Sequence, residues 1–144
     1  MYTISPLSNV DYLEMIEVWE ASVRATHDFL PEARMLELKP LILDQYFDAV
    51  QLFGVKEDGK LLGFLGIHET DIEMLFIRPD ARRKGVGKAL LLHAIENLYC
   101  TKVDVNEQNP QAVDFYLYMG FQIVGRSPLD GQGEPYPILH LSLS

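Results

Sequence analysis

Two glycines in a short basic loop constrain the fold of this chain more than any other feature. The loop, residues 82–87, lies between an apolar segment at 72–77 and a run with helical periodicity from 86 to 98. Amides in the first turn of a helix lack intrahelical partners, and the helix dipole adds partial positive charge there. Glycine lets such a backbone approach an anion closely. The sequence therefore predicts a strand, a loop and a helix N-terminus that together bind a phosphorylated ligand.

The charge distribution supports this interpretation. The whole chain has a formal net charge of −9. Residues 78–88 contain five bases and one acid, a local +4, so the remainder carries −9 − 4 = −13. Exposed bases at a helix N-terminus oppose the dipole by roughly 0.3–1 kcal/mol each, and a bound polyanion would remove that conflict. The alternative is a solubilising turn in front of the helix.

Two common phosphate-binding loops do not fit this stretch. A Walker A loop, G-x-x-x-x-G-K-S/T, needs a hydroxyl after its lysine, but Ala89 follows Lys88. A dinucleotide fingerprint, G-x-G-x-x-G, needs a third glycine where this chain has Leu90. The pattern that fits is Q/R-x-x-G-x-G/A, which residues 82–87 match as Arg-Arg-Lys-Gly-Val-Gly.

This loop resembles the coenzyme A pyrophosphate loop of the GNAT superfamily of acyl-CoA-dependent N-acetyltransferases. Its setting strengthens the resemblance, because Leu-Phe-Ile-Arg-Pro at 75–79 comes just before it, as in that family. A second block at 106–116 leads into Met-Gly-Phe at 119–121 and also resembles the family. The resemblance is strong over residues 60–125 and weaker outside them.

Length and composition indicate one folded domain, residues 1–144. With 144 residues, 48% of them hydrophobic, the chain can bury a core. No apolar stretch approaches about 18 residues, and the first residues lack a signal-peptide pattern, so we expect a cytoplasmic protein that does not bind a membrane. The acidic balance argues against nucleic acid as a partner. The single cysteine, Cys100, excludes an internal disulfide and a cysteine-rich metal site; we expect a buried thiol and no metal.

Hydrophobic periodicity and turn residues predict the order β-α-α-β-β-β-α-β-α-β-β. This is an α/β class with a mixed, mostly antiparallel central sheet and flanking helices, which the resemblance identifies as the GNAT fold. The predicted strands are 3–6, 51–56, 60–68, 72–77, 102–106, 121–125 and 137–142. The predicted helices are 9–23, 32 onward with an interruption at Pro40, 86–98, and 110–119 capped by Asn109.

The resemblance implies acetyl-CoA as acetyl donor and assigns its contacts. Pantetheine would pair with the backbone of residues 75–77, and one N–H, of Leu75 or Phe76, would point at the thioester carbonyl. The pyrophosphate would bind the amides of 83–88, with basic side chains near the 3′-phosphate. The predicted cofactor-binding residues are Leu75, Phe76, Ile77, Arg82, Arg83, Lys84, Gly85, Val86, Gly87, Lys88, Asn106, Asn109 and Tyr116.

Members of this family transfer the acetyl group by direct attack, so Cys100 is not needed as a nucleophile. By position, Tyr116 resembles the tyrosine that donates a hydrogen bond or a proton to the leaving thiolate. Full proton transfer from a phenol of pKa about 10 to a thiolate of pKa about 8.5 is uphill by roughly 2 kcal/mol, so hydrogen bonding comes first. The alternative is a core aromatic residue beside Phe115.

An attacking alkyl amine of pKa about 10.4 must lose a proton. Glu73, on the strand before the thioester, is the predicted base, and Asp71 lies two residues back on the same face of an extended strand. The alternative for Glu73 is a strand carboxylate paired with a neighbouring charge. His68 and His27 are further possible bases.

The acceptor would bind where the family uses its first two helices, their connecting loop and its last hairpin, which assigns His27, Phe29 and Tyr136 to substrate binding. Asp71, close to Glu73 on the strand, is assigned to substrate binding as well. The negative remainder of the chain favours a cationic acceptor, either a small-molecule amine or a peptide. The loop at 26–30 could equally be a packed connector. Two further functions stay open, a non-catalytic acyl-CoA-binding module and O-acyl transfer. Both a monomer and a homodimer are compatible with the sequence.

Overall fold

The computed structural model describes residues 2–26 and 29–143. Residues up to Cys100 form one compact unit, and residues from Thr101 onward form a second. The expectation of a single domain over 1–144 stays a prediction. The elements of the first unit are β1 (Ile4–Pro6), α1 (Tyr12–Thr26), α2 (Glu32–Leu41), β2 (Gln51–Glu57), β3 (Lys60–His68), β4 (Asp71–Ile77) and α3 (Val86–Glu96). Those of the second are β5 (Lys102–Asn106), α4 (Pro110–Tyr118), β6 (Phe121–Ser127) and β7 (Ile138–Leu143).

The sheet of the first unit has the order β1-β2-β3-β4, and each neighbouring pair is antiparallel. A two-residue turn at 58–59 joins β2 to β3, with Glu57 opposite Lys60. The burial of β3 explains this arrangement, because six of its nine residues are buried and the strand therefore needs helices on both faces. Helix α1 and helix α3 both pack against β3 and β4.

Helix α1 is amphipathic and supplies the largest part of the core on one face of this sheet. Its buried side chains include Met15, Val18 and Trp19, which pack with Phe47 and Phe64. Each such side chain contributes about 1.5–3 kcal/mol relative to an exposed one. The core therefore fixes α1 against β3. The next strand, β4, is the one whose backbone is predicted to pair with pantetheine.

The sequence predicts an interruption of the second helix at Pro40, but α2 runs past this residue. The helix continues to Leu41 and then widens into a π-helical turn, Ile42–Tyr46. Proline has no N–H to donate to the carbonyl four residues earlier, so α2 passes Pro40 with one hydrogen bond fewer. A short 3₁₀ turn, Phe47–Ala49, then leads into β2.

The sheet of the second unit has the order β5-β7-β6, again antiparallel throughout. Alternation along β5 and β7 buries Val103, Val105, Leu139 and Leu141 and leaves their neighbours on the opposite face more exposed. Helix α4 packs against β5 and β6. It begins as predicted, with the side chain of Asn109 accepting a hydrogen bond from the amide of Ala112.

In the described part of the chain, no helix combines the length and apolar character needed to cross a bilayer. Cys100 is 1% exposed, as predicted for a buried thiol. Burial raises its pKa to about 11, with a smaller contribution from the charge of Asp71. Since only the thiolate is nucleophilic, this cysteine is chemically quiet at neutral pH.

Candidate active site

Strand β4 contains a β-bulge at Glu73. Its register with β3 steps from Ile72 opposite Ile67 to Met74 opposite Gly66, so Glu73 is the extra residue. Bulges increase twist and re-aim side chains, and they are frequent beside active sites. The expectation that Asp71 and Glu73 share a face assumed regular alternation, which the bulge interrupts.

The register of β4 decides which of its backbone groups are directed away from β3. The amide of Arg78 donates to the carbonyl oxygen of Leu62 at 2.8 Å. In an antiparallel pair, hydrogen-bonded and non-hydrogen-bonded positions alternate. The backbone of Phe76 is therefore directed at β3, whereas the N–H and C=O groups of Leu75 and Ile77 point away from it. Pantetheine is expected to pair with the backbone of residues 75–77. Of these three, only Leu75 and Ile77 have backbone groups directed away from β3.

A close contact around Gly63 brings the end of β4 to the start of α3. A Cβ atom at Gly63 would lie 2.6 Å from Ile77 Cδ1, 3.0 Å from the oxygen of Phe76 and 3.2 Å from Val86 Cγ1. Only a residue without a side chain permits this approach. The first turn of α3 is consequently held against the last residues of the candidate coenzyme strand.

The N-terminus of α3 has no side chain to cap it. Its N-cap is Gly85, at φ +85°, and the first intrahelical hydrogen bond runs from Ala89 N–H to Gly85 O at 3.0 Å. The amides of 86–88 therefore precede the helical ladder, and the first turn carries no acidic residue. Helix α4, by contrast, is capped by Asn109. This contrast marks the start of α3 as suited to an anionic ligand.

The basic side chains of the loop divide into two groups. Arg83, Lys84 and Lys88 are exposed, and within residues 2–26 and 29–143 none of them forms an ion pair. Arg82 is half-buried, with Nη2 3.5 Å from the carbonyl oxygen of Ser22 in α1. Burial lowers the pKa of Arg82. Its side chain therefore joins the loop to α1, while the other three face solvent.

Arg78 is also held by protein partners and is not one of the exposed bases of the loop. Its Nε donates to the carbonyl oxygen of Leu61, and its Nη2 lies 3.6 Å from the carboxylate of Glu14. Glu14 in turn accepts the amide of Leu61 at 2.8 Å. The local charge of +4 estimated from sequence thus includes an arginine whose charge Glu14 offsets.

A tyrosine far away in sequence holds the loop from outside. The hydroxyl of Tyr2 donates to the carbonyl oxygen of Lys84 at 2.8 Å, across 82 positions of the chain. Its Cε2 lies 3.9 Å from where a Cβ of Gly85 would stand. Sequence reasoning missed Tyr2 because no local spacing encodes a contact over such a distance. The only indication in the sequence was the position of Tyr2, two residues before the edge strand β1.

In the second unit, Tyr116 is buried, with 6% of its surface exposed. Its ring makes edge contacts with Phe115 and Phe121, at centroid distances of 5.3 and 5.6 Å. Burial raises its pKa above the ordinary value. No hydrogen bond joins its hydroxyl to any residue that the structure describes. The ring therefore packs in the core of the second unit. Its hydroxyl has no hydrogen-bond acceptor among the described residues.

The two candidate asparagines lie at the start of α4. Asn109 uses its side-chain oxygen for the amide of Ala112 at 3.3 Å, and its N–H donates to the oxygen of Asn106 at 3.0 Å. Asn106 ends β5, opposite Ile138 of β7. The helix cap therefore accounts for the side-chain oxygen of Asn109, and its predicted cofactor contact stays a prediction.

The predicted acceptor residues fall in both units. In the first, Phe29 is half-buried after α1, and Asp71 begins β4 opposite His68. In the second, Tyr136 is half-buried just before β7. His27 lies outside the described residues. Over the ranges 2–26 and 29–143, no group of three or more histidine, cysteine or acidic side chains could hold a metal ion.

Known proteins share this sequence pattern. Residues 37–133 match the family model described as an acetyltransferase (GNAT) domain. The chain is 42% identical over 128 residues to the peptidyl-lysine N-acetyltransferase YjaB of Salmonella typhimurium, with 89% of this chain and 88% of that protein covered. It is 34% identical over 111 residues to the peptidyl-lysine N-acetyltransferase YiaC of Escherichia coli, with 76% of each covered.

Solved structures share the fold. The solution structure of apo-form YjaB from Escherichia coli matches with a TM-score of 0.88 at 36% identity, covering 99% of this chain and 97% of that one. The PaiA N-acetyltransferase of Thermoplasma acidophilum, crystallised with coenzyme A, matches with a TM-score of 0.78 at 22% identity over 100% and 99%. The predicted fold class, a mixed sheet with flanking helices, is confirmed.

Proposed function

The chain belongs to the GNAT acetyltransferase family and is an N-acetyltransferase, and from this premise we propose that it transfers acetyl from acetyl-CoA to the side-chain amine of a lysine in a peptide or protein. The uncapped start of α3, with exposed bases around it, is the observation that carries the coenzyme half of the proposal. The lysine half is supported by the relatives named peptidyl-lysine N-acetyltransferase, at 42% and 34% identity.

The pyrophosphate of the coenzyme binds the amides of residues 86–88 and of the preceding loop. These donors have no intrahelical acceptors, and the α3 dipole adds favourable potential for a negative group. Arg83, Lys84 and Lys88 face the phosphates in this proposal, which their exposure at the loop supports. Arg82 contributes indirectly, by joining the loop to Ser22 of α1.

The thioester carbonyl accepts a hydrogen bond from the amide of Leu75. Between the two amides considered from sequence, the register favours Leu75, because the amide of Phe76 is directed at β3. A donor fixed in a strand needs no reorganisation when negative charge develops on the oxygen. Loss of one such donor in other enzymes costs about 3–4 kcal/mol of transition-state stabilisation.

Tyr116 donates a hydrogen bond to the leaving thiolate of coenzyme A. Burial raises the pKa of this phenol, which makes full proton transfer to a thiolate even less favourable than for an ordinary tyrosine. A hydrogen bond to the charged sulfur nevertheless stabilises the leaving group, by about 1.5–3 kcal/mol. The thiolate then takes its proton from solvent.

Glu73 receives the proton of the attacking amine through a water molecule. It is exposed, and it sits at the bulge of β4, two residues before the proposed oxyanion donor Leu75. A lysine amine is neutral in only about one part in 2,500 at pH 7, and a carboxylate is a much weaker base than an amine. The base therefore acts by carrying the proton away as the nitrogen attacks. Asp71 and Tyr136 contact the acceptor peptide, whose positive charge the acidic remainder of the chain attracts.

The direct test is acetyl-CoA consumption with two matched peptides. One carries a free lysine and a blocked N-terminus; the other carries an acetylated lysine and a free N-terminus. We expect thiol release and a gain of one acetyl group with the first peptide only, read by mass spectrometry. Transfer to the second peptide alone would replace lysine with an α-amine acceptor. Coenzyme binding without transfer to any amine would favour the non-catalytic module instead.

A further inference from the structure

Three polar side chains form a hydrogen-bonded line across the three strands of the second unit. Ser127 Oγ on β6 lies 2.7 Å from His140 Nε2 on β7, and His140 Nδ1 lies 2.8 Å from Asp104 Oδ1 on β5. The pairing fixes this line, since Asp104 is directly opposite His140. Ser127 lies on β6 two residues beyond Gly125, which is opposite His140 on the other side.

The chemistry of the three groups fixes the direction of the hydrogen bonds. An ionised carboxylate can only accept, so Nδ1 of His140 carries a hydrogen and donates it to Asp104. In the neutral imidazole, Nε2 is then the acceptor and takes a hydrogen bond from the hydroxyl of Ser127. This is the tautomer that a histidine needs in order to remove the proton of a serine nucleophile.

The line lies on the more open face of the strands. Its neighbours in sequence on β5 and β7, including Val103 and Leu139, are buried on the opposite face. The side chains of His140 and Asp104 are 38% and 65% exposed. A Cβ at Gly125 would stand 3.4 Å from His140 Cδ2, so the glycine leaves room for the ring to lie across β6 toward Ser127.

We propose that Ser127, His140 and Asp104 form a second reactive site, which hydrolyses small activated acyl esters and thioesters independently of lysine acetylation. Ser127 Oγ attacks the acyl carbon while its proton passes to His140 Nε2. The bond from that carbon to the leaving oxygen or sulfur breaks, and the leaving group takes the proton. Water then attacks the acyl carbon of the acyl-serine and loses a proton to His140 Nε2. The bond from that carbon to Ser127 Oγ breaks, His140 returns the proton to Oγ, and the carboxylic acid leaves.

The setting limits the substrates to those with good leaving groups. An aspartate as exposed as Asp104 is partly screened by water, so it polarises the imidazole less than a buried aspartate would. Aryl esters and thioesters need little assistance to expel their leaving groups, whereas amides need strong stabilisation of the tetrahedral intermediate. We therefore expect slow ester and thioester cleavage and no peptidase activity.

The test uses the full chain and p-nitrophenyl acetate, which contains no coenzyme. Release of nitrophenolate is followed for the unmodified protein and for Ser127→Ala, His140→Gln, Asp104→Asn and Ser142→Ala. Ser142 is the matched control, because it lies on the same strand as His140, two residues on. Acid-quenched samples are digested to locate the acetyl group, and thermal melting checks that each variant is folded.

We expect release to fall at least about tenfold in Ser127→Ala and in His140→Gln, to fall less in Asp104→Asn, and to be unchanged in Ser142→Ala. His140→Gln keeps the serine, so its loss of activity separates chemistry from the mere presence of a hydroxyl. Wild-type release by Ser127→Ala would overturn the proposal, and it would mean that His140 or another nucleophile acts alone. Acetyl groups found only on lysines would also overturn it. Lysine-peptide acetylation is measured in parallel, so the two activities succeed or fail separately.

Discussion

The hydroxyl of Tyr2 and the carbonyl oxygen of Lys84 are joined by a hydrogen bond of 2.8 Å. In a trans peptide the C=O of one residue and the N–H of the next point in opposite directions. By holding the oxygen of Lys84, Tyr2 therefore turns the amide of Gly85 to the other side of the loop. If the pyrophosphate binds these amides, the hydrogen bond from Tyr2 fixes the orientation of one amide donor, that of Gly85, before the ligand binds.

The first prediction follows from that relationship. Tyr2→Phe should weaken acetyl-CoA binding by about 2- to 12-fold, the range that corresponds to one net hydrogen bond of 0.5–1.5 kcal/mol. The KM for acetyl-CoA should rise while kcat stays close to its original value, because Tyr2 touches no reacting atom. Calorimetric titration with acetyl-CoA measures the change.

S-acetylpantetheine provides the control for Tyr2→Phe, since it carries the thioester but no diphosphate. Its binding should be the same in both proteins. An equal loss for the two ligands would show that Tyr2 acts on the fold of the first unit and not on the phosphate loop.

The second prediction concerns Gly85. Gly85→Glu should abolish acetyl-CoA binding, because its carboxylate would repel the diphosphate at the start of α3. Gly59→Glu is the matched control, since Gly59 also has a positive φ, of 79°, and lies in the β2–β3 turn. Both variants should lose comparable thermal stability from backbone strain, about 1–2 kcal/mol. Coenzyme binding that survives in Gly85→Glu would place the phosphates elsewhere.

The third prediction concerns Tyr116. Tyr116→Phe should lower kcat by about ten- to a hundredfold, which corresponds to the loss of a hydrogen bond to a charged sulfur. The ring contacts with Phe115 and Phe121 do not need the hydroxyl, so coenzyme affinity and melting temperature should change little. Tyr118→Phe, at an 82% exposed position of the same helix, is the control. Unchanged turnover in Tyr116→Phe would remove this residue from the mechanism.

The parts of the fold that the sequence predicted well are those with local signals. Strand β5 was predicted to the residue, and the cap of α4 at Asn109 was predicted together with the proline that follows it. A turn, a cap or an alternating strand is encoded within a few neighbouring residues. The strand-loop-helix at 72–98 belongs to the same class, and the GNAT family that the sequence resembles is confirmed for the chain.

The features that could not be predicted depend on pairing between distant segments. The bulge at Glu73 exists only relative to β3, and the line from Ser127 to Asp104 exists only once β5, β6 and β7 are in register. Arg78 was counted in the local positive charge of residues 78–88, yet Glu14 and the backbone of Leu61 engage it. A net charge counted along the sequence includes such residues, because the sequence does not show which side chains will pair with them in the folded protein.

The last prediction concerns acid stability. Asp11 accepts hydrogen bonds from Lys56 Nζ at 2.8 Å and from the amide of Ser8 at 2.9 Å, and these lower its pKa. Since the folded-state pKa lies below the unfolded value of about 3.9, the stabilisation is present above that pH. It is lost as the pH falls through the folded-state value.

Asp11→Asn keeps an oxygen that can still accept from Ser8 but removes the charge that Lys56 faces. We expect a loss of unfolding free energy of up to about 1 kcal/mol at pH 7, modest because Lys56 is partly exposed. The two proteins should converge as the pH falls through the lowered pKa of Asp11, where its carboxylate becomes protonated. Urea unfolding across this pH range measures the difference, with the exposed Asp114→Asn as control. A difference that stays constant down to acid pH would show that the amide perturbs the N-terminal turn and that the charge contributes nothing.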